Sequence, residues 1–233
     1  MLPIKDLNPR RTWPVVTVLL IAANVLAFLY ELSLGPRLEG FLMAAAFVPA
    51  RLHGDGPGSG LLPGAESALI SMFLHGGWGH ILGNMLFLWI FGDNVEDRLG
   101  HGRYLLFYLL SGYAATFAHA LFNPGSTMPA IGASGAISGV LGAYLFLYPR
   151  ARIVTVVWLF IFVRFVEIPA IVYLPIWFLL QLFSGVSSLR VADPAAAGGV
   201  AFFAHIGGFV AGPILLLLLG GTRRRPDPPR YTW

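Results

Sequence analysis

Apolar runs of nearly bilayer-crossing length recur along this chain, and the short segments between them hold nearly all of its charge. A spanning helix needs roughly 20 mostly apolar residues. Six candidates meet or approach that length, at 13–34, 78–91, 104–122, 134–148, 168–183 and 200–219. The second and fourth are short for a full span, which is tolerable where protein rather than lipid surrounds them. Only 11% of the 233 residues are charged and 57% are hydrophobic, whereas a soluble domain carries about 25% charged residues. Such a chain cannot cover a water-facing surface. The expected fold class is therefore an all-α, multi-pass integral membrane protein. There is no cysteine, which excludes a disulfide framework and a thiolate metal site.

The first apolar run follows Lys5, Arg10 and Arg11. It is longer than the roughly 7–15 residues of a signal-peptide core and no small-residue cleavage site follows it, so an uncleaved first helix is expected. Segment 153–163 is apolar and β-branched but about half a span long, and Arg164 and Glu167 close it. It reads as an interfacial or cytoplasmic connector, with a seventh helix as the other reading. The distribution of basic residues decides between them. With six spans and the N-terminus in the cytoplasm, inside segments hold Lys5, Arg10, Arg11, Arg98, Arg103, Arg150, Arg152, Arg164, Arg223, Arg224, Arg225 and Arg230. Outside segments then hold Arg37, Arg51 and Arg190, a division of 12 to 3. A seventh helix would put the Arg223–Arg225 cluster outside. The net charge of +4 is thus accounted for by topology, and nucleic acid is not expected as a partner. The expected organisation is a cytoplasmic tail over 1–12, a membrane domain over 13–219 and a disordered basic tail over 220–233. Within the long segment 35–74, the apolar stretch 41–48 suits an interfacial helix, and the Gly/Pro-rich stretch 54–64 suits a loop.

Several polar groups stand at membrane depth, where they are costly and tend to be paired and functional. Ser134 lies among Gly132, Gly135 and Gly139, and His205 is followed by Gly208 and Gly212. The Gly-x-x-x-Gly spacing on both segments lets two helices approach closely, which would bring the Ser134 hydroxyl to the His205 imidazole. A serine hydroxyl becomes a useful nucleophile when a base takes its proton, and imidazole suits that role near neutral pH. Glu31 is the only acid in the six spans, and none lies near His205 in sequence, so a Ser-His dyad is the simpler arrangement. His80 and Asn84 are spaced i, i+4 on one helix face and could donate to an oxyanion. They could equally satisfy each other. The Ser134 amide, at a helix start, is a further donor. His75 reads as a cap that bonds backbone carbonyls, and His101 and His119 read as structural.

Three motifs now stand in order: His75-x4-His80-x3-Asn84, Gly132-Ala133-Ser134-Gly135 and Ala204-His205-x2-Gly208-x3-Gly212. Together they resemble the rhomboid family of intramembrane serine proteases, and the likeness runs from the first apolar segment to the sixth. The resemblance implies a six-helix bundle with both termini cytoplasmic and a water-accessible cavity open to the outside. It implies Ser134 as nucleophile, His205 as general base and acid, and His80, Asn84 and the Ser134 amide as the oxyanion hole. It also implies a membrane-embedded first loop over 35–74 and a mobile cap over 185–199 that gates entry with the fifth helix. No cofactor or metal is implied. The implied partners are single-span membrane-protein substrates and the lipid bilayer, in a prokaryotic plasma membrane. Cleavage is expected near the outer face, after a small residue, where a substrate helix unwinds readily.

Two positions depart from the family pattern. Glu66-Ser67 stands where some members carry Trp-Arg in the first loop, so that loop must be anchored differently. Ser138 stands one turn after Ser134, where some members carry an aromatic that packs on the histidine, so support for His205 must come from elsewhere or be weaker. The competing readings are a catalytically inactive rhomboid-like chaperone, a small-solute transporter, and a bundle in which the glycine faces merely pack helices. An inactive relative would be expected to lack the serine or the histidine. A transporter would be expected to show internal repeats, which this chain does not.

Overall fold

The computed structural model describes residues 2–53, 64–159, 162–188 and 201–221. Eight α-helices dominate it: α1 (Val15–Ser33), α2 (Leu38–Ala45), α3 (Gly64–Ser71), α4 (Trp78–Leu99), α5 (His101–Phe122), α6 (Ser134–Leu147), α7 (Ala170–Ser188) and α8 (Phe202–Leu218). Six of these fall on the six apolar runs. Helices α1 and α5 are long and apolar enough to cross a membrane, while α6 and α8 are apolar but shorter. Helix α4 runs about two turns past its expected end and stops at Gly100, whose φ of +80° breaks the helix. Of the apolar stretch 41–48 in the first loop, residues 41–45 fall in α2 and 46–48 lie beyond its end, with Phe47 bridged to Ala130. Most of the expected cap, 189–199, and the tail from 222 onward lie outside the described residues.

Helix α6 is the axis of the bundle. Every residue from Gly135 to Tyr144 is buried, which explains how a 14-residue helix of about 21 Å is accommodated at membrane depth: protein, not lipid, surrounds it. Its closest neighbour is α8, and glycines set the separation. A methyl group at Gly208 would fall 2.0 Å from the Gly135 carbonyl oxygen, and one at Gly212 2.1 Å from that of Gly139. The backbones therefore touch along the seam that the two glycine spacings suggested.

The fold is dominantly helical, as expected, but it also holds a small sheet that the expected all-α class did not include. Strands β1 (Leu2–Asp6), β2 (Arg152–Leu159) and β3 (Phe162–Pro169) form an antiparallel sheet in the order β1-β2-β3. The described residues of the expected connector, 153–159 and 162–163, are thus strand rather than helix. The cause is local: Ile153, Val154, Thr155, Val156 and Val157 are consecutive β-branched residues, which favour the pleated conformation. Ile153 and Thr155 on the central strand β2 are fully buried, while β3 is an exposed edge that runs directly into α7.

Residues 2–6, expected within a tail, are the third strand of that sheet, and the chain after them is tied to the end of α4. Asn8 bonds Asn94, and the Thr12 amide and hydroxyl both donate to Asp97, at 3.0 and 2.6 Å. The next anchor is Glu96, almost wholly buried. Its carboxylate accepts from the Val16 amide (2.8 Å), the Thr17 amide (2.8 Å) and the Thr17 hydroxyl (2.7 Å). Those amides belong to the first turn of α1, where no intrahelical acceptor exists. Glu96 therefore caps α1 from a different helix, and His101 Nδ1 lies 2.6 Å from its other side. At the far end of the chain, Arg98 Nε donates to the Gly221 carbonyl at 2.6 Å.

Candidate active site

Ser134 is the first residue of α6, at the end of a loop sewn to the first-loop segment. The Ala130 amide donates to the Phe47 carbonyl and the Gly132 amide to the Ser71 carbonyl, each at 2.8 Å. The Ser71 hydroxyl accepts from the Phe47 amide at 2.7 Å. These bonds give the first loop an anchoring that needs neither Trp nor Arg at 66–67. Gly132 is required twice over. Its φ is +123°, and a methyl group there would lie 2.6 Å from His80 Nε2. The helix start leaves the amides of Ser134 and Gly135 without intrahelical carbonyls, and the positive end of the helix dipole faces the site.

His205 sits in the first turn of α8 and is 8% exposed. Its Nε2 lies 2.7 Å from Ser134 Oγ. The two residues are separated by 71 positions in sequence and are brought together by the α6–α8 glycine seam. Ser138, one turn on, offers no aromatic ring; its hydroxyl donates to the Ser134 carbonyl at 2.7 Å, the back-bonding habit of serine within helices. Aromatic support for His205 comes from two other rings. Trp177 of α7 lies 6.1 Å from it and Phe202 lies 6.4 Å from it, centroid to centroid.

His80 and Asn84 share a face of α4 but do not satisfy each other. The Gly76 amide donates to His80 Nδ1 at 3.4 Å, which places the ring proton on Nε2, beside Gly132. Asn84 Nδ2 lies 3.0 Å from His75 Nε2, and His75 Nδ1 lies 3.2 Å from the Phe73 carbonyl. That carbonyl can only accept, so the His75 proton is on Nδ1, and Nε2 accepts from Asn84. His75 thus caps a carbonyl, as the sequence suggested, and also fixes the Asn84 amide. Burial, reinforced by neighbouring His80, pushes the His75 imidazole down to about 4, so it is neutral at physiological pH. The second Asn84 N–H remains for a ligand.

These groups line one cavity of about 630 Å³, with Ser134, His205, His80, Asn84, Met128 and Trp177 among its walls. It holds a hydroxyl against an imidazole, with N–H donors on the same walls. That arrangement suits acyl transfer. Two residues escaped sequence reasoning. Trp177 carried no local signal. Glu31 did carry one, as a lone acid at membrane depth, and its carboxylate accepts from the His75 amide.

A family profile, the Rhomboid domain, matches residues 66–222. The chain belongs to the rhomboid family. Rhomboid proteins are integral membrane proteins, and the apolar helices of this chain agree with that. It is 37% identical over 134 residues to Rhomboid protease GluP of Bacillus subtilis, covering 57% of this chain and 24% of that protein. It is 33% identical over 138 residues to Putative rhomboid protease YdcA of the same organism, covering 59% of this chain and 64% of that one. A mitochondrial relative, Presenilin-associated rhomboid-like protein of Bos taurus, is 32% identical over 136 residues, covering 58% of this chain and 33% of that one. The chain therefore spans about a quarter of the length of GluP and under two thirds of YdcA.

Proposed function

We propose that this rhomboid protein is an intramembrane serine endopeptidase that works through a Ser134–His205 dyad. The observation that carries the reading is the 2.7 Å separation of His205 Nε2 from Ser134 Oγ, in a cavity that also holds His80 and Asn84. Ser134 Oγ attacks the scissile carbonyl carbon as its proton passes to His205 Nε2. Asn84 Nδ2–H, His80 Nε2–H and the Ser134 amide stabilise the oxyanion. The imidazolium then protonates the leaving amine, giving an acyl-Ser134 ester and a free new N-terminus. Water attacks the ester as His205 takes one of its protons, and that proton returns to Ser134 Oγ as the carboxylic acid product leaves and gives up its own proton to water. No metal or cofactor is needed for either half-reaction.

The substrates are single-span membrane proteins, cut near the outer face after a small residue. We assign six spans, α1, α4, α5, α6, α7 and α8, with both termini in the cytoplasm. The division of basic residues supports this orientation. Arg98 bonded to the Gly221 carbonyl and β1 paired with β2 support placing both ends of the chain on one side. The assigned location is a prokaryotic plasma membrane. The test is cleavage of a single-span substrate by the protein reconstituted in vesicles. Ser134→Ala and His205→Ala are expected to abolish it. Undiminished cleavage by either variant would exclude the dyad, and a cut at the cytoplasmic end of the substrate span would exclude the assigned orientation.

A further inference from the structure

Glu31 lies in the last turns of α1 and is 1% exposed. Both carboxylate oxygens address one donor, the His75 backbone amide, at 3.1 and 3.2 Å. Among the described residues no salt bridge joins it to a cation. A buried carboxylate spent on a single amide calls for an explanation, since its desolvation is expensive. The segment it grips supplies one. His75 is followed by Gly76, Gly77 and Gly79, and glycine loses more conformational freedom on folding than any other residue. This stretch has little of its own to hold it, yet His75 must be held, because its Nε2 is the acceptor that orients the Asn84 amide at 3.0 Å. Helix α1 grips the same stretch a second time, through the edge-to-face contact of Phe28 with Trp78 at 5.1 Å.

We propose that Glu31 is a positioning residue for the oxyanion site: it fixes the His75 backbone, His75 fixes the Asn84 amide, and Asn84 presents its remaining N–H to the cavity. Helix α1, which contributes no wall of the cavity, thereby sets the geometry of the donor. The role rests on the protease reading for its consequence but not for its geometry, and two measurements separate the two. The first is a double-mutant cycle on substrate cleavage by the full chain in vesicles. Glu31→Ala is expected to lower kcat by about 10- to 100-fold, the scale of a misplaced group, with KM little changed. Glu31→Gln keeps an acceptor for the amide and should restore most of the rate. Adding Glu31→Ala to Asn84→Ala should cost nothing further, because Glu31 acts through Asn84. Multiplicative losses in the double variant, or Glu31→Gln as slow as Glu31→Ala, would overturn the proposal.

The second measurement needs no activity. The side-chain amide NMR signals of Asn84, followed in the full chain in micelles, should shift or broaden in Glu31→Ala and keep their wild-type positions in Glu31→Gln. Unchanged signals in folded Glu31→Ala would overturn the proposal by themselves. If wild-type protein shows no Ser134-dependent cleavage, the protease reading fails while the NMR result still decides the role of Glu31.

Discussion

The indole of Trp177 lies 6.1 Å from the imidazole of His205, inclined to it by 35°. The same indole lies 6.4 Å from Phe87 on α4 and 6.1 Å from Phe209 on α8, so its own position is determined by packing on both sides. This is the aromatic support that the serine at 138 cannot supply, and it comes from a different helix. Aromatic pairs of this kind contribute about 0.5–1.5 kcal/mol beyond buried area. Trp177→Phe should therefore keep most of kcat. Trp177→Ala and Trp177→Leu should both lower it by up to about 10-fold. Loss in Ala but not in Leu would show that volume alone matters.

Closeness of α6 and α8 should be visible as an intolerance of single methyl groups. Gly208→Ala places a carbon 2.0 Å from a backbone oxygen, which no rotamer change relieves. Overpacking typically costs about 1–3 kcal/mol, and here it also separates the helices that carry Ser134 and His205. Gly208→Ala and Gly212→Ala should lose activity out of proportion to their loss of thermal stability. Gly102→Ala on α5, with nothing within 4 Å, should be neutral or slightly stabilising. Thermal denaturation and cleavage rates measured side by side check this.

Glu96 accepts two amides and a hydroxyl from the start of α1. Removing it strands all three donors in a buried setting. Glu96→Ala should destabilise by about 3 kcal/mol, and Glu96→Gln, which still offers one acceptor, by roughly half of that. Unfolding in mixed micelles measures both. A Glu96→Ala variant as stable as wild type would remove the cross-helix cap from this account.

The N-terminal strand should respond to pH. Burial, reinforced by Asp93, raises the Asp6 carboxyl from 3.8 to about 6, against the opposing effect of its bond from the Tyr144 hydroxyl, which donates to Asp6 Oδ2 at 2.6 Å. The folded state thus binds the proton more tightly than the unfolded state does. Stability from this group is fully present below about pH 4 and is lost as pH rises through about 6. Hydrogen-exchange protection of residues 2–6, corrected for intrinsic exchange, should fall between about pH 4.5 and about pH 7 in wild type and stay level in Asp6→Asn.

The Ser134–His205 pair could be read in the sequence because both residues sit beside glycines at helical spacing that demand close approach, and His80 and Asn84 could be read because their i, i+4 spacing puts them on one helix face. Ser134, His205, His80 and Asn84 converge for reasons written locally. What escaped was carried by contacts without local pattern. Trp177 reaches His205 from α7, 28 positions earlier in the sequence, and nothing in the spacing of either residue marks the pairing. The Glu31–His75 bond crosses 44 positions. Glu31 was conspicuous as a lone acid at membrane depth, but its partner is a backbone amide, which no side-chain pattern can announce. The sheet was hidden for another reason. Phe160-Ile161 between β2 and β3 contains none of the Gly, Asn, Asp or Pro that mark a hairpin turn. The β-branched run could therefore be read as a connector or as a seventh helix but not as a strand, and the strand that pairs with it, Leu2–Asp6, lies far away near the start of the sequence.

The central claim is that Ser134 Oγ is a nucleophile activated by His205. Covalent labelling tests it without a substrate. A fluorophosphonate added to the protein in vesicles should phosphonylate Ser134, as mapped by mass spectrometry of the 123–148 region. Labelling should vanish in Ser134→Ala and slow by at least about 100-fold in His205→Ala, the scale of general-base catalysis. An adduct at another residue, or equal rates with and without His205, would contradict the account.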